Sequence, residues 1–265
     1  MTTQDTLAAV QAGLGPRHAQ TAIHVFESLP STNEWLGVQS LAGPTLVTAR
    51  TQTQGRGRRG RAWASPAGGW YFSVGVPLSP DDPVQPTVTL QVGLALAEAL
   101  SSAGFPGIAV KWPNDLVING AKLGGILVER LPTALIVGVG INRSTSAIEH
   151  LPADRRAIGL NDLGDRPTHE ELIGQLAAAI LDAVKRSPDA AAAILDARWP
   201  ARDALTGHTV VVAQSDDARD GTGTPLQGEV LGITPNGQLR LATASGEQWL
   251  NAGECRIQGG WEATA

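Results

Sequence analysis

Cysteine is almost absent from this sequence, since Cys255 is the only one among 265 residues. A single cysteine excludes an intramolecular disulfide and is typical of a reducing compartment, so we expect a cytoplasmic location. The five histidines are scattered along the chain, and no cysteine–histidine spacing of the zinc type occurs. The sequence therefore predicts neither a disulfide-stabilised secreted domain nor a structural zinc site.

Long apolar runs and an excess of positive charge are also missing. No uninterrupted apolar stretch is long enough to span a membrane, and residues 1–5 lack the charged and apolar regions of a signal peptide. The formal net charge of −5 does not suggest a general nucleic-acid-binding protein. The length of 265 residues is enough for one large domain and a small second one.

One strongly basic segment, Gly55–Arg61, interrupts this acidic background with four arginines and three glycines in seven positions. Glycine disfavours regular structure and adjacent like charges repel, so we expect a loop that is mobile while nothing is bound. Guanidinium groups bind carboxylate and phosphate, and glycines let backbone N–H groups approach an anion closely. The alternatives are a loop that touches nucleic acid or merely a solvated turn. We call this segment the arginine loop.

Apolar periodicity and turn residues predict the elements around the arginine loop. A capping box at Ser31 and Glu34 begins a helix, and Asn119–Gly120 predicts a hairpin turn. Further helices are predicted over 3–14, 86–104, 168–186 and 189–199, the third with a capping box at Thr168 and Glu171. Strands are predicted over 23–26, 45–50, 70–74, 108–112, 116–118 and 135–141, with another after Lys122.

Past Leu205 the sequence changes to short strands separated by turns. The predicted strands are 210–212, 226–233, 239–242 and 247–250, with a turn at 235–237 and a flexible hairpin tip at 216–224. This spacing indicates a small β-barrel. We place the boundary near residue 205, which gives a larger domain over 1–205 and a smaller one over 206–265.

Five motifs resemble those of the biotin protein ligases, or biotin–[acetyl-CoA-carboxylase] ligases. Each motif alone is a weak signal, but five in the family's order and at its spacing are very specific. The resemblance covers about residues 23–255, less clearly toward the end. The motifs are Ser31-Thr32-Asn33, the arginine loop, Lys111-Trp112-Pro113-Asn114-Asp115, Lys122 to Glu129, and Gly138-Val139-Gly140-Ile141-Asn142.

The resemblance implies an α+β fold with two parts. The catalytic part is a central mixed β-sheet with helices, and the C-terminal part is a small SH3-like β-barrel that closes over the nucleotide in the family. No residue of the second part is assigned to ATP. Regulatory members of the family carry an N-terminal winged helix-turn-helix, and the roughly twenty residues before the first strand are too few for that module. We therefore expect a monofunctional ligase without sequence-specific DNA binding.

The resemblance also implies a biotin site. The Ser31 turn would hydrogen-bond the ureido ring, since a neutral heterocycle in an apolar pocket needs such bonds to fix its orientation. A purely structural interpretation of Ser31, as a helix cap, is compatible with this role. Gly124 and Gly125 would leave room for a ligand beside their strand. The expected biotin-binding residues are Ser31, Thr32, Asn33, Gln52, Arg56, Gly57, Arg58, Lys122 and Gly125.

Lys122 is the strongest catalytic candidate. In the family, the lysine of this motif contacts the biotin carboxylate and the α-phosphate, where an ammonium group stabilises developing negative charge. Arg58 and Asp115 are the other catalytic candidates, and Asp115 would either help to hold Mg²⁺ or activate the attacking amine. Lys122 could instead be solvated, and Asp115 could be a turn cap paired with Lys111. The expected nucleotide-binding residues are Arg58, Arg61, Trp63, Lys111, Asn114, Lys122 and Asn142, with Trp63 alternatively a packing anchor or a wall of the biotin site.

The implied reaction is ATP-dependent and has two steps. The enzyme would form biotinoyl-5′-AMP from biotin and MgATP, and would then transfer biotin to a lysine of a biotin carboxyl carrier protein. A homodimer through edge strands is a further family trait. The nearest alternative is a lipoate or octanoate ligase or transferase of the same superfamily, which the arginine loop disfavours. A biotin-sensing DNA-binding regulator and an RNA-binding module are less consistent with the N-terminus and the acidic charge.

Overall fold

Two β-sheets organise the computed structural model, which describes residues 2–145, 156–164, 169–213 and 225–261. The first sheet contains seven strands: β1 Ala22–Leu29, β2 Thr45–Gln52, β3 Gly69–Pro77, β4 Ala109–Lys111, β5 Asp115–Ile118, β6 Ala121–Leu131 and β7 Ala134–Asn142. The second contains five: β8 Thr209–Ala213, β9 Leu226–Ile233, β10 Leu239–Thr243, β11 Gly246–Leu250 and β12 Glu254–Ile257. The helices are α1 Thr3–Leu14, α2 Thr32–Gly37, α3 Val88–Ser102, α4 Glu171–Val184 and α5 Pro188–Arg198.

The seven-stranded sheet is mixed, with the strand order β1-β2-β3-β7-β6-β5-β4. Strands β1 and β2 are parallel, and α2 forms the crossover that a parallel pair requires. The other pairs are antiparallel. Strand β7 lies between β3 and β6 and is buried from Ala134 to Ile141, because helices cover one face of the sheet and α2 covers part of the other. The sheet therefore holds the ends of β2, β3, β6 and β7 in fixed positions.

Two apolar clusters hold the helices on the sheet. The larger one contains buried side chains of α3 and α4 together with inward-facing residues of the strands. The smaller one lies beneath α2 and contains Leu36, Val47, Ala134 and Ile136. Helix α1 packs on α4 so closely that a Cβ atom on Gly174 would lie 2.6 Å from the backbone nitrogen of Leu14. Neither α3 nor α4 was predicted to take part in chemistry, and both serve the core.

The β5–β6 turn has the conformation that its sequence predicts. Asn119 and Gly120 have φ values of 49° and 70°, which is the left-handed conformation of a type I′ hairpin turn. On the other side of β5, a short bend connects it to β4 and brings Lys111 opposite Asp115. Both predicted site residues, Lys111 and Asp115, therefore lie at this bend.

The second sheet is antiparallel, with the order β11-β10-β9-β8-β12, so the predicted α+β fold with a small C-terminal β-domain is confirmed. Strand β12 was not predicted from the sequence. The two sheets are linked where Trp112 Nε1 donates to the Gly237 carbonyl at 3.0 Å. The capping role of Thr168 and the hairpin tip at 216–224 lie outside the described residues, and the boundary at residue 205 stays a prediction. No described helix has the length and apolar character needed to cross a bilayer.

Candidate active site

The arginine loop joins β2 to β3 and is more ordered locally than predicted. Its residues form no strand, but Arg58–Gly60 make one turn of 3-10 helix, with Arg59 in the left-handed region at φ 58°. The Gly57 N–H donates to the Arg61 carbonyl and the Trp63 N–H to the Gly55 carbonyl, each at 2.8 Å. The loop is therefore folded back on itself. Its mobility in the absence of ligand stays a prediction.

Three arginines of the loop contact three different parts of the protein. Arg56 Nη2 lies 2.7 Å from the Glu129 carboxylate on β6. Arg58 Nη1 donates to Asn114 Oδ1 at 3.2 Å, in the β4–β5 bend. Arg61 forms an ion pair with Glu254 on β12, and this hydrogen bond raises the pKa of the guanidinium above its usual value. The loop thus contacts both sheets.

Beneath the loop lies a cavity of about 1150 Å³. Every residue that the sequence predicted for the biotin, nucleotide or catalytic site lines this cavity. The predicted residues come from the five motifs and from two positions beside the arginine loop, Gln52 and Trp63, and they span 112 positions from Ser31 to Asn142. Their convergence is therefore a property of the fold. One end of the cavity is formed by the Ser31 turn and the other by the second sheet, which contributes Glu254 and Cys255.

At the first end, a buried network of polar groups fixes the Ser31 turn. Ser31 is the N-cap of α2, as predicted, and its Oγ accepts from the Glu34 N–H at 3.4 Å. The Thr32 N–H donates to Gln52 Oε1 at 2.8 Å. Ser73 Oγ lies 2.7 Å from Thr32 Oγ1 and 2.6 Å from Asn33 Oδ1.

The number of available protons limits which bonds of this network form at the same time. Both amide hydrogens of Asn33 are used, toward the Leu127 carbonyl and Glu129 Oε2, so Asn33 Oδ1 must be an acceptor. A hydroxyl carries a single proton. Ser73 Oγ lies within hydrogen-bond distance of Asn33 Oδ1 and Thr32 Oγ1, and Thr32 Oγ1 lies 3.1 Å from Gln52 Oε1. The two hydroxyl protons are therefore shared among three contacts. Both amide hydrogens of the predicted biotin-binding residue Asn33 are thus bonded to the protein, and its contact with biotin stays a prediction.

Two glycines of the fifth motif make room for side chains of the site. A Cβ atom on Gly138 would overlap Asn33 Oδ1 and lie 2.8 Å from Asn33 Cγ. A Cβ atom on Gly140 would lie 2.5 Å from the Nε1 atom of Trp63. Real Cβ contacts are longer than this, so both positions require glycine for a close approach.

The space beside the two glycines of β6, Gly124 and Gly125, differs from the prediction. We expected Gly124 and Gly125 to leave room for a ligand. A Cβ atom on Gly124 would instead lie 2.6 Å from the Gly140 carbonyl oxygen, and one on Gly125 would lie 3.0 Å from Trp63 Cζ3. The prediction is wrong for Gly124, because β7 fills the space beside it. Gly125 lines the cavity next to the Trp63 indole, and its contact with a ligand stays a prediction. The indole Nε1 is buried and has no hydrogen-bond partner among the described residues.

Lys122 lies at the centre of the cationic part of the cavity. Its Nζ is 2.7 Å from Asp115 Oδ1 and 5.1 Å from the centroid of a Trp63 ring, a cation–π distance. The alternative partner for Asp115 was Lys111, but no salt bridge between these two side chains occurs among the described residues. Burial lowers the pKa of Lys111. Lys122 is therefore held by an ion pair with Asp115, and 38% of its side chain is exposed.

The backbone around Lys122 is also fixed from the β7 side. Asn142 Nδ2 donates to the Lys122 carbonyl at 3.1 Å, and the Ile158 N–H donates to the same oxygen at 3.0 Å. We predicted that Asn142 would contact the nucleotide. Its side chain lines the cavity, but the hydrogen bond that the structure shows is to the backbone of Lys122. The nucleotide contact stays a prediction.

The magnesium prediction rests on Asp115. Within the described part of the chain, no three acidic, histidine or cysteine side chains are grouped closely enough to hold a metal ion. Mg²⁺ is usually bound through one or two carboxylates together with substrate phosphates. Asp115 supplies one carboxylate beside Lys122, which fits an ion that arrives with a nucleotide. This role stays a prediction.

Glu129, Glu254 and Gly138 are site residues that sequence reasoning did not single out. Glu129 and Gly138 were each visible as parts of a motif, at the end of one and the start of another. Glu254 lies on the missed strand β12, and no local pattern indicates its pairing with Arg61, which is distant in sequence. The arginine loop therefore has partners that only the tertiary structure reveals.

Cys255 should be chemically inert in the folded protein. Burial raises the pKa of its thiol to about 12, and the thiolate is the reactive form. We expect iodoacetamide at about pH 8 to leave native Cys255 unmodified and to label it fully after unfolding in urea, as mass spectrometry would show. Rapid stoichiometric labelling of the folded protein would contradict the burial of this residue.

Comparison with known families agrees with this geometry. Residues 25–142 match the model of the biotin/lipoate A/B protein ligase family, and residues 218–257 match that of the biotin protein ligase C-terminal domain. A biotin–[acetyl-CoA-carboxylase] ligase of Paracoccus denitrificans is 33% identical over 228 residues, which cover 81% of this chain and 90% of that protein. The chain belongs to the biotin protein ligase family. Its enzyme class is that of the biotin–[acetyl-CoA-carboxylase] ligases, as predicted.

Two further relatives place this biotin protein ligase in the family. The solved structure of the Aquifex aeolicus biotin protein ligase in complex with biotin and ATP has a TM-score of 0.73 and 26% identity, covering 89% of this chain and 98% of that one. The bifunctional ligase/repressor of Escherichia coli strain K12 is 34% identical over 171 residues, which cover 60% of this chain and 53% of that protein. The expectation of a monofunctional ligase stays a prediction.

Proposed function

We propose that this biotin protein ligase activates biotin with MgATP as biotinoyl-5′-AMP and transfers the biotinoyl group to a lysine of a biotin carboxyl carrier protein. The observation that carries the proposal is the single cavity that joins a buried polar turn to a cluster of cations. A polar turn suits a neutral ring that must be oriented. Lys122 and the arginines suit a carboxylate and phosphates. The Aquifex relative is solved with biotin and ATP, which together present a neutral ring, a carboxylate and phosphates.

In the first step, a biotin carboxylate oxygen attacks the α-phosphorus of ATP. The new carbon–oxygen–phosphorus link forms as the bond to the β-phosphate oxygen breaks, and pyrophosphate leaves. The Lys122 ammonium stabilises the charge that develops on the α-phosphoryl oxygens. Asp115 holds that ammonium in position and supplies a carboxylate for the magnesium that accompanies the nucleotide. A magnesium ion held by the Asp115 carboxylate and the phosphates would offset the charge of the departing pyrophosphate.

The arginine loop then protects the mixed anhydride. Arg58 reaches across the cavity to Asn114, and an arginine in this position binds phosphate oxygens bidentately. Trp63 lies against the same cavity, and its indole N–H has no partner within the described part of the chain. This donor suits a hydrogen-bond acceptor on the bound nucleotide. A loop that covers the acyl phosphate slows its hydrolysis because it excludes water.

In the second step, the amine of the carrier lysine attacks the acyl carbonyl carbon. The carbon–oxygen bond to phosphate breaks, AMP leaves, and the amine loses its proton as the amide forms. Asp115 is a candidate acceptor for that proton, since its carboxylate lies in the cavity near Lys122.

Replacing Arg58 with glycine should release the intermediate. A charge-assisted hydrogen bond contributes about 1.5–3 kcal/mol, so we expect biotinoyl-AMP to dissociate roughly 10- to 100-fold faster than from the unaltered enzyme. Rapid filtration of enzyme loaded with radiolabelled ATP and biotin measures this rate. The variant Asn114→Ala, which removes the partner of Arg58, should leak to a smaller extent. Equal retention of the adenylate by Arg58→Gly and the unaltered enzyme would rule out the covering role.

Transfer itself can be tested with a carrier domain from an acetyl-CoA carboxylase. With biotin and MgATP, the carrier should gain the mass of one biotinoyl group on its acceptor lysine, and a lysine-to-arginine carrier should gain none. Modification of neither carrier, with adenylate still formed, would show that the acceptor is a different protein.

A lipoate or octanoate ligase is the second candidate, because the matching family model includes lipoate ligases. The buried turn argues against it. Ser31, Thr32, Asn33 and Gln52 line this part of the cavity with polar side chains, which suit a polar ring that must be oriented better than a linear acyl chain. The homodimer remains a prediction.

A further inference from the structure

Glu129 connects the Ser31 turn to the arginine loop, a connection that its motif does not predict. Its Oε2 accepts from Asn33 Nδ2 at 2.7 Å and its Oε1 from Arg56 Nη2 at 2.7 Å. The carboxylate is only 24% exposed. One oxygen therefore binds the turn assigned to the ring, and the other binds the arginine loop. Both distances are those of strong hydrogen bonds to a charged acceptor.

The connection extends further into the turn. Asn33 is buried, with 4% exposure, and it is joined through Ser73 to Thr32. The Thr32 N–H binds Gln52 Oε1, and Gln52 Nε2 donates to Ser65 Oγ at 2.8 Å, just beyond the loop. A continuous set of hydrogen bonds thus runs from one end of the loop, through the turn, to Arg56 at the other end. Glu129 is its only link that carries a negative charge among the described members.

We propose that Glu129 is a positioning residue that couples ligand binding at the Ser31 turn to the position of the arginine loop. The proposal rests on the proposed function, since it takes biotin as the ligand of the turn. Biotin does not contact Glu129. Biotin binding stabilises the hydrogen bonds that Thr32 and Asn33 already make, Asn33 holds the carboxylate, and the carboxylate holds Arg56 over the cavity.

The carboxylate is specifically required for this coupling. Asn33 and Arg56 both present N–H donors, so the residue between them must supply two acceptors, and a glutamine supplies one acceptor and one donor group. In Glu129→Gln, the buried Asn33 cannot turn to water, whereas Arg56 is half-exposed and can. The single carbonyl oxygen therefore stays with Asn33, and Arg56 loses its partner. The turn remains intact while the link to the loop is cut.

The experiment compares two readouts at saturating biotin. Calorimetry gives the affinity for biotin, and amide hydrogen exchange of the peptide that spans 55–63 gives the protection that biotin confers on the loop. In the unaltered enzyme we expect biotin to slow this exchange at least tenfold. In Glu129→Gln we expect an affinity within about threefold of the unaltered enzyme and less than twofold protection. The control Glu247→Gln removes an ion pair of equal length, Arg240–Glu247 at 2.7 Å, and should behave as the unaltered enzyme.

Each result of this experiment supports or contradicts either the coupling through Glu129 or the proposed function. Full protection in Glu129→Gln would overturn the coupling, and so would a loss of biotin affinity that accounts for the lost protection. If Glu129→Gln does not fold, Arg56→Gln cuts the same link from the loop side and must lose protection at saturating biotin, or the proposal fails. Absence of biotin binding by the unaltered enzyme would instead refute the proposed function.

Discussion

Replacing Lys122 with alanine should abolish adenylate formation and leave a folded protein. The ammonium is the group that stabilises charge on the α-phosphate, and removing one preorganised group of this kind costs about 10²- to 10³-fold in rate. Folding should survive because Lys122 and Asp115 are partly exposed, and such ion pairs contribute roughly 0–1 kcal/mol. Pyrophosphate release in the presence of biotin measures the step, and circular dichroism reports the fold.

Lys185 provides a matched control for this substitution. Lys185 is exposed and lies at the C-terminal cap of α4. It is not one of the described residues that line the cavity, so Lys185→Ala should retain full activity. Normal pyrophosphate release by Lys122→Ala would show that Lys122 is not the catalytic lysine. In that case Lys111, the other lysine that lines the cavity, would be the next candidate.

Replacing Gly138 with alanine should abolish tight biotin binding. The added methyl group would overlap the Asn33 amide, and Asn33 cannot move without breaking its bonds to Ser73 and Glu129. Overpacking of this kind destabilises a protein by about 1–3 kcal/mol, and loss of the buried hydrogen bonds removes the oriented turn. We expect the affinity for biotin to fall at least about 10-fold, the factor that corresponds to one lost hydrogen bond of about 1.4 kcal/mol.

The substitution Gly43→Ala is the control for Gly138→Ala. A Cβ atom at Gly43 would have no heavy atom within 4 Å, so Gly43→Ala should bind biotin normally. Calorimetric titration of biotin measures both variants, and thermal unfolding separates a loss of binding from a loss of fold. Unchanged affinity in Gly138→Ala would mean that Asn33 does not position the biotin-binding turn.

Much of the fold follows from local signals in the sequence. The Asn119–Gly120 turn and the Ser31 cap are each specified by a few residues whose conformational preferences agree with the tertiary structure. The apolar periodicity of α3 extends almost over the whole predicted range, from Val88 to Ser102. Strand β12 was missed because it contains four residues and is defined by its pairing with β8, a tertiary contact that no local pattern encodes.

The site was predictable as a set of residues but not as a set of contacts. The motifs identified many of the residues that line the cavity, including Lys122 and Asp115. They could not show that the Asn142 amide binds the backbone of Lys122, or that Trp63 fills the space beside Gly125. These contacts depend on how β6, β7 and the arginine loop pack together, and a single sequence does not determine side-chain packing at that level.

The central claim is that this enzyme activates biotin, and one calorimetric measurement tests it most directly. Biotin is titrated into the purified protein with and without MgATP, and lipoate is titrated under the same conditions. We predict tight binding of biotin, a further change in heat as adenylate forms when MgATP is present, and no response to lipoate. Binding of lipoate without binding of biotin would contradict the account and favour the lipoyl alternative.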